Sequence, residues 1–523
     1  MKQHKSFLLF VYLLIGLLLA CDSPMKDTAA TAIAETNDYR EAHRNQYHFS
    51  PMANWMNDPN GMVYYEGEYH LFYQYYPDST VWGPMHWGHA VSTDLVHWEH
   101  LPIALYPDSL GYIFSGSAVI DWNNTSGLGQ DGKPPMIAIF THHDPEGEKA
   151  GTARYQYQSI AYSQDKGRNW TKYANNPVLP NPGIKDFRDP KVIWHEASQQ
   201  WVMVLAAYDK AQFYTSPNLI DWTFASEFGI PGDDRLWECP DLFPLQVEGS
   251  EENKWVLIVS IQQKAPNGGT ATGYFVGDFD GQTFSGNAAQ QYWADFGKDN
   301  YAMVTWSDIP KEDGRRLAMG WMSNWQYAQI VPTDKWRSAM TLPRVLSLHW
   351  EGEQYQMRSM PVRELGALEE KRHPLKAGLY ANKTELIKLP KKQLYKMALS
   401  FKKPKAGNVG LRLSNDLDEY LDIYYQSANA TYHIDRNHAS KSPFSPDFVG
   451  VHTGPVIGDA ANINWLLYLD HAAIELFADE GRCVMTETVF PTAPFYKVEI
   501  WSTDGEAELL DGELVELAAI WNK

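Results

Sequence analysis

Ser92-Thr93-Asp94-Leu95-Val96-His97-Trp98, Ser163-Gln164-Asp165-Lys166-Gly167-Arg168-Asn169-Trp170 and Ser216-Pro217-Asn218-Leu219-Ile220-Asp221-Trp222 are loose copies of one pattern, with Asp280-Gly281-Gln282-Thr283-Phe284 a fainter fourth. In every copy a turn-forming Asp or Asn stands four or five positions ahead of an aromatic ring. The rings fall at 98, 170, 222 and 284, and each interval is long enough for a four-stranded sheet with its loops. Radial repetition of such sheets makes a β-propeller, here of about five blades.

The flanking sequence agrees. From about 45 to 345 short strand-like runs such as Tyr69-His70-Leu71-Phe72-Tyr73 and Trp255-Val256-Leu257-Ile258-Val259 alternate with Gly, Pro, Asn and Asp, and no long helical periodicity intervenes. Beyond Pro343-Arg344 comes a charged, Pro-containing passage that reads as a connector. Alternation then returns, as in Trp465 to Leu469 and Ile474 to Phe477, with turn signals such as Asp479-Glu480-Gly481. The fold class expected is all-β: an N-terminal five-bladed propeller over 45–345, a linker over 346–376 and a C-terminal β-sandwich over 377–523.

Composition narrows the function. With 523 residues, 44 % hydrophobic and 21 % charged, the chain has the makings of two globular domains. Its 20 Trp, 30 Tyr and 21 Phe suit β-rich cores and also sugar binding, since the apolar faces of sugar rings pack on flat aromatic surfaces. The formal charge of −20 repels phosphate backbones, which argues against nucleic acid as a partner. No Cys or His cluster has zinc spacing, so no metal is expected; His142-His143 and the His86/His89 pair read as strand or surface residues.

Lys2 and Lys5 precede an apolar run from Phe7 to Leu19, proportioned as a secretory signal rather than a bilayer span. It ends in Leu18-Leu19-Ala20-Cys21, which resembles the bacterial lipobox. The expectation is a signal peptide over 1–20, acylation at Cys21, a polar tether over 21–44, and contact with a membrane through the lipid anchor only. Cys239 and Cys483 then remain for the exported domain, too few for a disulfide framework.

Three acids stand in contexts that surface charge does not explain: Asp58 in Trp55-Met56-Asn57-Asp58-Pro59-Asn60-Gly61, Asp189 in Phe187-Arg188-Asp189-Pro190, and Glu238 in Trp237-Glu238-Cys239-Pro240. Each lies just ahead of a strand-like run, flanked by Pro and an aromatic residue, a setting that holds charge preorganised in a cleft. Equivalent positions on the innermost strands of different blades converge on one end of the axial channel. Convergent carboxyls suit cleavage of an acetal, where one group protonates the leaving oxygen and another meets the oxocarbenium centre. Asp58, in its tight turn, is the better nucleophile. Glu238 is the better proton donor, because burial and like charge favour the neutral form of a carboxyl. Asp189 is expected to stay ionised beside Arg188 and to bind hydroxyls, with Arg188 holding it.

As a set, these motifs resemble glycoside hydrolase family 32, the β-fructosidases that include invertases, inulinases and levanases. Further matches are Phe72-Tyr73-Gln74-Tyr75, Trp82 to His89, Phe114-Ser115-Gly116-Ser117, Tyr274 to Gly277, Phe296 to Ala302, Trp336 to Met340 and Ile474 to Gly481, so the likeness spans residues 45 to 523. The resemblance implies a retaining double displacement without a cofactor, with Asp58 as nucleophile, Glu238 as acid/base and Asp189 as transition-state stabiliser. It further implies that Asn57, Gln74, Trp82, Phe114, Ser115, Arg188 and Trp325 line the subsite for a terminal fructose. Asn300 departs from the pattern, standing where the family usually has an aromatic residue of the outer subsite. The expected activity is release of terminal β-fructofuranosyl units from fructan or sucrose. Fructosyl transfer, a non-catalytic glycan-capturing lipoprotein and an arabinan-cleaving propeller enzyme are the competing readings.

Overall fold

Asp94, Asp165, Asn218 and Asp280 each organise a turn between the third and fourth strands of a sheet. Asp94 Oδ1 accepts from the backbone N–H of Val96 and His97 at 3.0 and 2.8 Å, and Asn218 Oδ1 from Ile220 and Asp221 at 3.1 and 2.8 Å. Asp280 Oδ1 does the same for Gln282 and Thr283, and Asp165 Oδ1 for Asn169. The residue after each, Leu95, Lys166, Leu219 and Gly281, turns the chain through a left-handed conformation with φ of 64, 58, 65 and 96°. The sequence repeat is therefore one structural device used four times.

The computed structural model describes residues 39–521. Five antiparallel sheets follow one another: blade 1 from Asn54–Tyr65 to Glu99–Leu105, blade 2 from Tyr112–Ile120 to Thr171–Lys172, blade 3 from Phe187–His195 to Thr223–Gly229, blade 4 from Trp237–Gln246 to Phe284–Gly286, and blade 5 from Tyr301–Thr305 to Gln354–Pro361. Trp336–Arg337, which leads from the second to the third strand of blade 5, pairs in parallel with Asn54–Trp55 of blade 1 and ties the ring shut. A sandwich of a seven-stranded and a six-stranded sheet follows. Its core comes from strict alternation, as in Tyr395–Lys402, where Tyr395, Met397, Leu399 and Phe401 face inward. Cys239 and Cys483 are buried free thiols.

Three boundaries differ from expectation. The propeller does not stop at 345, because Arg344–Glu351 and Gln354–Pro361 pair with each other and with Arg316–Met322 as the last strands of blade 5. The expected linker over 346–376 is correspondingly short: Leu365 and Leu368 of the turn after Val362 are buried, and Glu369–Pro374 is already an edge strand of the sandwich. Its charges face solvent along that edge, a placement that composition does not distinguish from a connector. Tether character also ends before 44, since Arg44 is buried and donates to Glu41, Ser50 and the Pro51 and Met52 carbonyls. The signal segment, Cys21 and the rest of the tether lie outside the described residues.

Propeller and sandwich meet through a polar, buried contact. Arg344 donates to Asp295 at 3.0 Å and to Glu475 at 2.6 Å, and Arg436 donates to Asp299 at 2.6 Å and pairs with Glu487 at 2.8 Å. Gly297 lies against the Thr486 backbone so closely that a Cβ would sit 2.1 Å from its nitrogen. Replacing Gly297 with Ala must push the two domains apart and is expected to cost about 3 kcal/mol, read as a lower denaturant midpoint.

His48 adds a pH term to the same contact. It hydrogen-bonds Asp470 at 2.9 Å and Glu475 at 3.2 Å. Burial alone would lower its pKa, but the two carboxylates push it up to about 9 from the ordinary 6.5. A group whose folded pKa is raised contributes stability that is complete below its unfolded pKa and lost as pH climbs through the folded one. The melting temperature should therefore fall between pH 6.5 and 9, and less so in His48→Gln. An unchanged pH dependence in that variant would exclude His48 as the source.

Candidate active site

Every innermost strand is irregular at the same level. Its pairing skips at Asn57-Asp58 in blade 1, Phe114-Ser115 in blade 2, Asp189-Pro190 in blade 3, Cys239-Pro240 in blade 4 and Ala302-Met303 in blade 5. Such bulges re-aim side chains and leave a rung of the ladder unmade. Pro, lacking an N–H, fits at a missing rung, which gives Asp189-Pro190 and Cys239-Pro240 a physical reason, while Pro59 stands at the first pair after the skip, opposite Tyr73. Asp189, Cys239 and Ala302 also adopt positive φ of 63, 45 and 51°. Strained, bulged backbone from five blades is thus concentrated at one end of the axis.

Asp58, Asp189 and Glu238 line a single cavity of about 350 Å³ there, together with all seven residues expected to bind substrate: Asn57, Gln74, Trp82, Phe114, Ser115, Arg188 and Trp325. Asp58 accepts from Ser115 Oγ at 2.7 Å and from Asn57 Nδ2 at 3.0 Å, while Asn57 Oδ1 is fixed by the Trp55 indole at 2.8 Å. Burial raises the Asp58 pKa, and the charge of Glu238 raises it further. Gln74 is buried and its Nε2 has no partner among the described residues, leaving a donor for a ligand at the cavity wall. Trp82 stands edge-on to Phe114 at 6.1 Å, Phe114 stacks on His143 at 4.3 Å, and Trp325 packs against Trp55 and Trp321.

Arg188 is arranged differently from expectation. Its guanidinium donates to Glu238 Oε1 from Nε and Nη2 at 3.1 and 2.9 Å, and to Asp186 at 2.7 Å, while Asp189 lies 3.9 Å away. Asp189 is not held ionised by its neighbour: burial pushes it up to about 7 against the pull of Arg188, with the charges of Glu238 and Asp58 adding to the rise. Asp189 therefore keeps a proton part of the time near neutrality.

Four participants were missed from sequence. Tyr301 donates to Glu238 Oε2, and Gln262 does so at 2.5 Å. Asp186, steadied by the Tyr155 hydroxyl at 3.0 Å, orients Arg188. Cys239 links the acids: its N–H donates to Asp189 at 3.0 Å and its thiol to Asp58 at 3.4 Å, and burial keeps that thiol protonated by raising its pKa well above the ordinary value. Tyr301 and Cys239 lie inside sequence motifs, where position alone carries no role. Asn300 is not at an outer subsite. It is buried, donates to Asp295 at 3.1 Å and abuts Gly320, so a ring there would not fit this packing. Among the described residues no group of three His, Cys, Asp or Glu side chains is placed to hold a metal.

A polar cavity with aromatic walls, carrying three carboxyls from three blades of a five-bladed propeller, defines a glycoside hydrolase. Residues 48–361 match the model of the glycosyl hydrolases family 32 N-terminal domain, and residues 364–521 that of the family 32 C-terminal domain. The chain belongs to this family. It is 46 % identical to a levanase of Bacillus subtilis (strain 168) over 93 % of this chain and 72 % of that one. It is 38 % identical to an extracellular exo-inulinase of Aspergillus awamori, over 93 and 96 % of the two chains. The crystal structure of the Aspergillus awamori exo-inulinase superposes with a TM-score of 0.85 at 35 % identity, covering 92 % of this chain and all of that one (100 %). A β-fructofuranosidase of Schwanniomyces occidentalis, solved with fructosyl-erythritol, gives 0.83 at 33 % identity over 92 and 99 %.

Proposed function

We propose that the protein releases terminal β-D-fructofuranosyl residues from a fructan, levan or inulin, or from sucrose, by double displacement with retention. The observation that carries this reading is the unlike support given to the two acids of one cavity. Asp58 is held by the neutral donors Ser115 and Asn57, whereas Glu238 is gripped by Arg188, Gln262 and Tyr301. The names of the relatives, levanase, exo-inulinase and β-fructofuranosidase, support the substrate class.

In the first step a carboxylate oxygen of Asp58 attacks the anomeric carbon of the fructosyl unit. Its bond to the leaving oxygen breaks as Glu238 transfers a proton to that oxygen, and a fructosyl ester on Asp58 results. Glu238 then takes a proton from water, the hydroxide attacks the anomeric carbon, and Asp58 departs as carboxylate. Asp189 and the free Gln74 amide bind ring hydroxyls, and Trp82, Phe114 and Trp325 shape the apolar side of the subsite. Export and lipid attachment at Cys21 complete the proposal, supported by Lys2, Lys5, the apolar run and the lipobox-like Leu18 to Cys21. Replacing Cys21 with Ser should move the protein out of the membrane fraction.

Incubation with sucrose, inulin and levan, followed by separation of products, tests the activity. Fructose as the first product is expected. Longer oligosaccharides accumulating at high sucrose would show transfer instead, and retention of substrate without release would show a binding protein.

A further inference from the structure

The innermost strands that carry the catalytic cavity at their starts open, at their far ends, onto a second and larger one, about 950 Å³ against about 350 Å³. Tyr112–Ile120, Phe187–His195 and Trp237–Gln246 each run from one cavity to the other. A few residues of strand at about 3.3 Å each put the two sites roughly 10–20 Å apart. They do not communicate openly. Lys191 spans the axis between them, donating to the Thr305 carbonyl at 2.6 Å and pairing with Asp241 at 3.2 Å, and the space beside it shrinks to about 10 Å³.

The walls of the far cavity include four tryptophans, Trp122, Trp194, Trp201 and Trp255, already held in place, the Trp201 indole by Thr125 at 2.9 Å. Trp122 is 60 % exposed, yet its indole is tied to Asp308 at 2.8 Å; the Trp194 indole is tied to Glu196 at 2.8 Å; and Trp255 packs edge-on to Phe279 at 5.2 Å. Rings fixed before a ligand arrives lose little freedom when it binds. Polar groups in the same cavity lack partners. Thr305 Oγ1 and Ser307 Oγ are buried without a hydrogen bond. The Arg316 guanidinium lies over the Phe243 ring at 5.0 Å and has no ion pair or hydrogen bond among the described residues. A buried polar group without a partner destabilises the site, a penalty that a ligand rich in hydroxyls removes.

These features select a chemical class. A purely apolar ligand would leave the buried Thr305 and Ser307 hydroxyls unmet, and Asp308 and Glu196 stand against Lys191, Lys311 and Arg316, so the lining offers no strong field of either sign to a charged ligand. A neutral saccharide offers C–H faces to the tryptophans and hydroxyls to Arg316, Thr305 and Ser307. We propose that this cavity is a second, non-catalytic saccharide site that takes a fructan segment other than the end being cleaved, an assignment of substrate class that rests on the function proposed above. Such a site holds the enzyme on polymer while chain ends are consumed at the opposite face.

The test uses the full chain carrying Asp58→Asn, which does not consume its ligand, in gels containing levan or inulin. Adding Trp122→Ala, and separately Arg316→Gln, is expected to weaken retention roughly tenfold, the scale of one lost ring contact. Trp122→Ala alone should keep kcat/KM on sucrose within about twofold, which shows that the variant folds and that the catalytic cavity is untouched. Retention equal to that of the Asp58→Asn parent in both variants overturns the second site. Failure of the wild-type chain to release fructose from any of the three substrates, alongside Trp122-dependent retention, overturns the proposed activity and leaves this site standing.

Discussion

Asp58→Asn is expected to lower kcat by about four orders of magnitude or more while the protein melts at the same temperature or higher. The amide is nearly the shape of the carboxylate, so the contacts to Ser115 and Asn57 have an acceptor and a neighbour to replace them. It cannot form the fructosyl ester, and the first displacement stops there. The stability half follows from the sign of the pKa shift. Burial, and then Glu238, raise the Asp58 pKa, so its ionised form is disfavoured in the folded state and destabilises the protein above the unfolded pKa. Removing that charge relieves the folded state. Steady-state turnover on sucrose together with a thermal melt near neutral pH checks both halves. Appreciable residual turnover would take the nucleophile's role away from Asp58, and a much lower melting temperature would make it a structural residue.

Glu238→Gln is expected to lower kcat on sucrose by roughly 10²–10⁴-fold, the range for loss of a general acid/base, with a smaller loss on an activated aryl fructoside. A poor leaving group needs the proton as its bond breaks, whereas a phenolate with a low pKa departs without it. The variant separates this role from mere positioning of Arg188, because the Gln carbonyl can still accept from that guanidinium at the site of Oε1. A structural role would penalise both substrates equally. In wild-type enzyme the titrations of Asp58 and Asp189 in the pH–rate profile are shared rather than single, since burial raises both and their charges interact.

Much of the site was legible in sequence because the bulges that build it demand unusual residues. Asn57-Asp58, Asp189-Pro190 and Cys239-Pro240 occupy rungs where the ladder is broken. Residues that reach the site from ordinary strand or loop positions leave no such mark. Gln262 follows a regular strand, Asp186 lies in a loop, and Tyr301 resembles any core tyrosine until its hydroxyl is seen on Glu238. Proximity in sequence also misled: Arg188 adjoins Asp189, yet its guanidinium reaches across to Glu238 of the next blade.

By itself the sequence determined the all-β class, the blade count and which three acids come to line one cavity. Each is written in local rules, the Asx turn before a ring and the proline at a bulge, that act over a few residues. Only tertiary structure decided which acid Arg188 holds, how high burial drives Asp189, where blade 5 gives way to the sandwich, and that an aromatic cavity opens behind the catalytic one. Those properties are sums over neighbours brought together from distant blades, and solvent exclusion and charge coupling do not exist until the ring has closed.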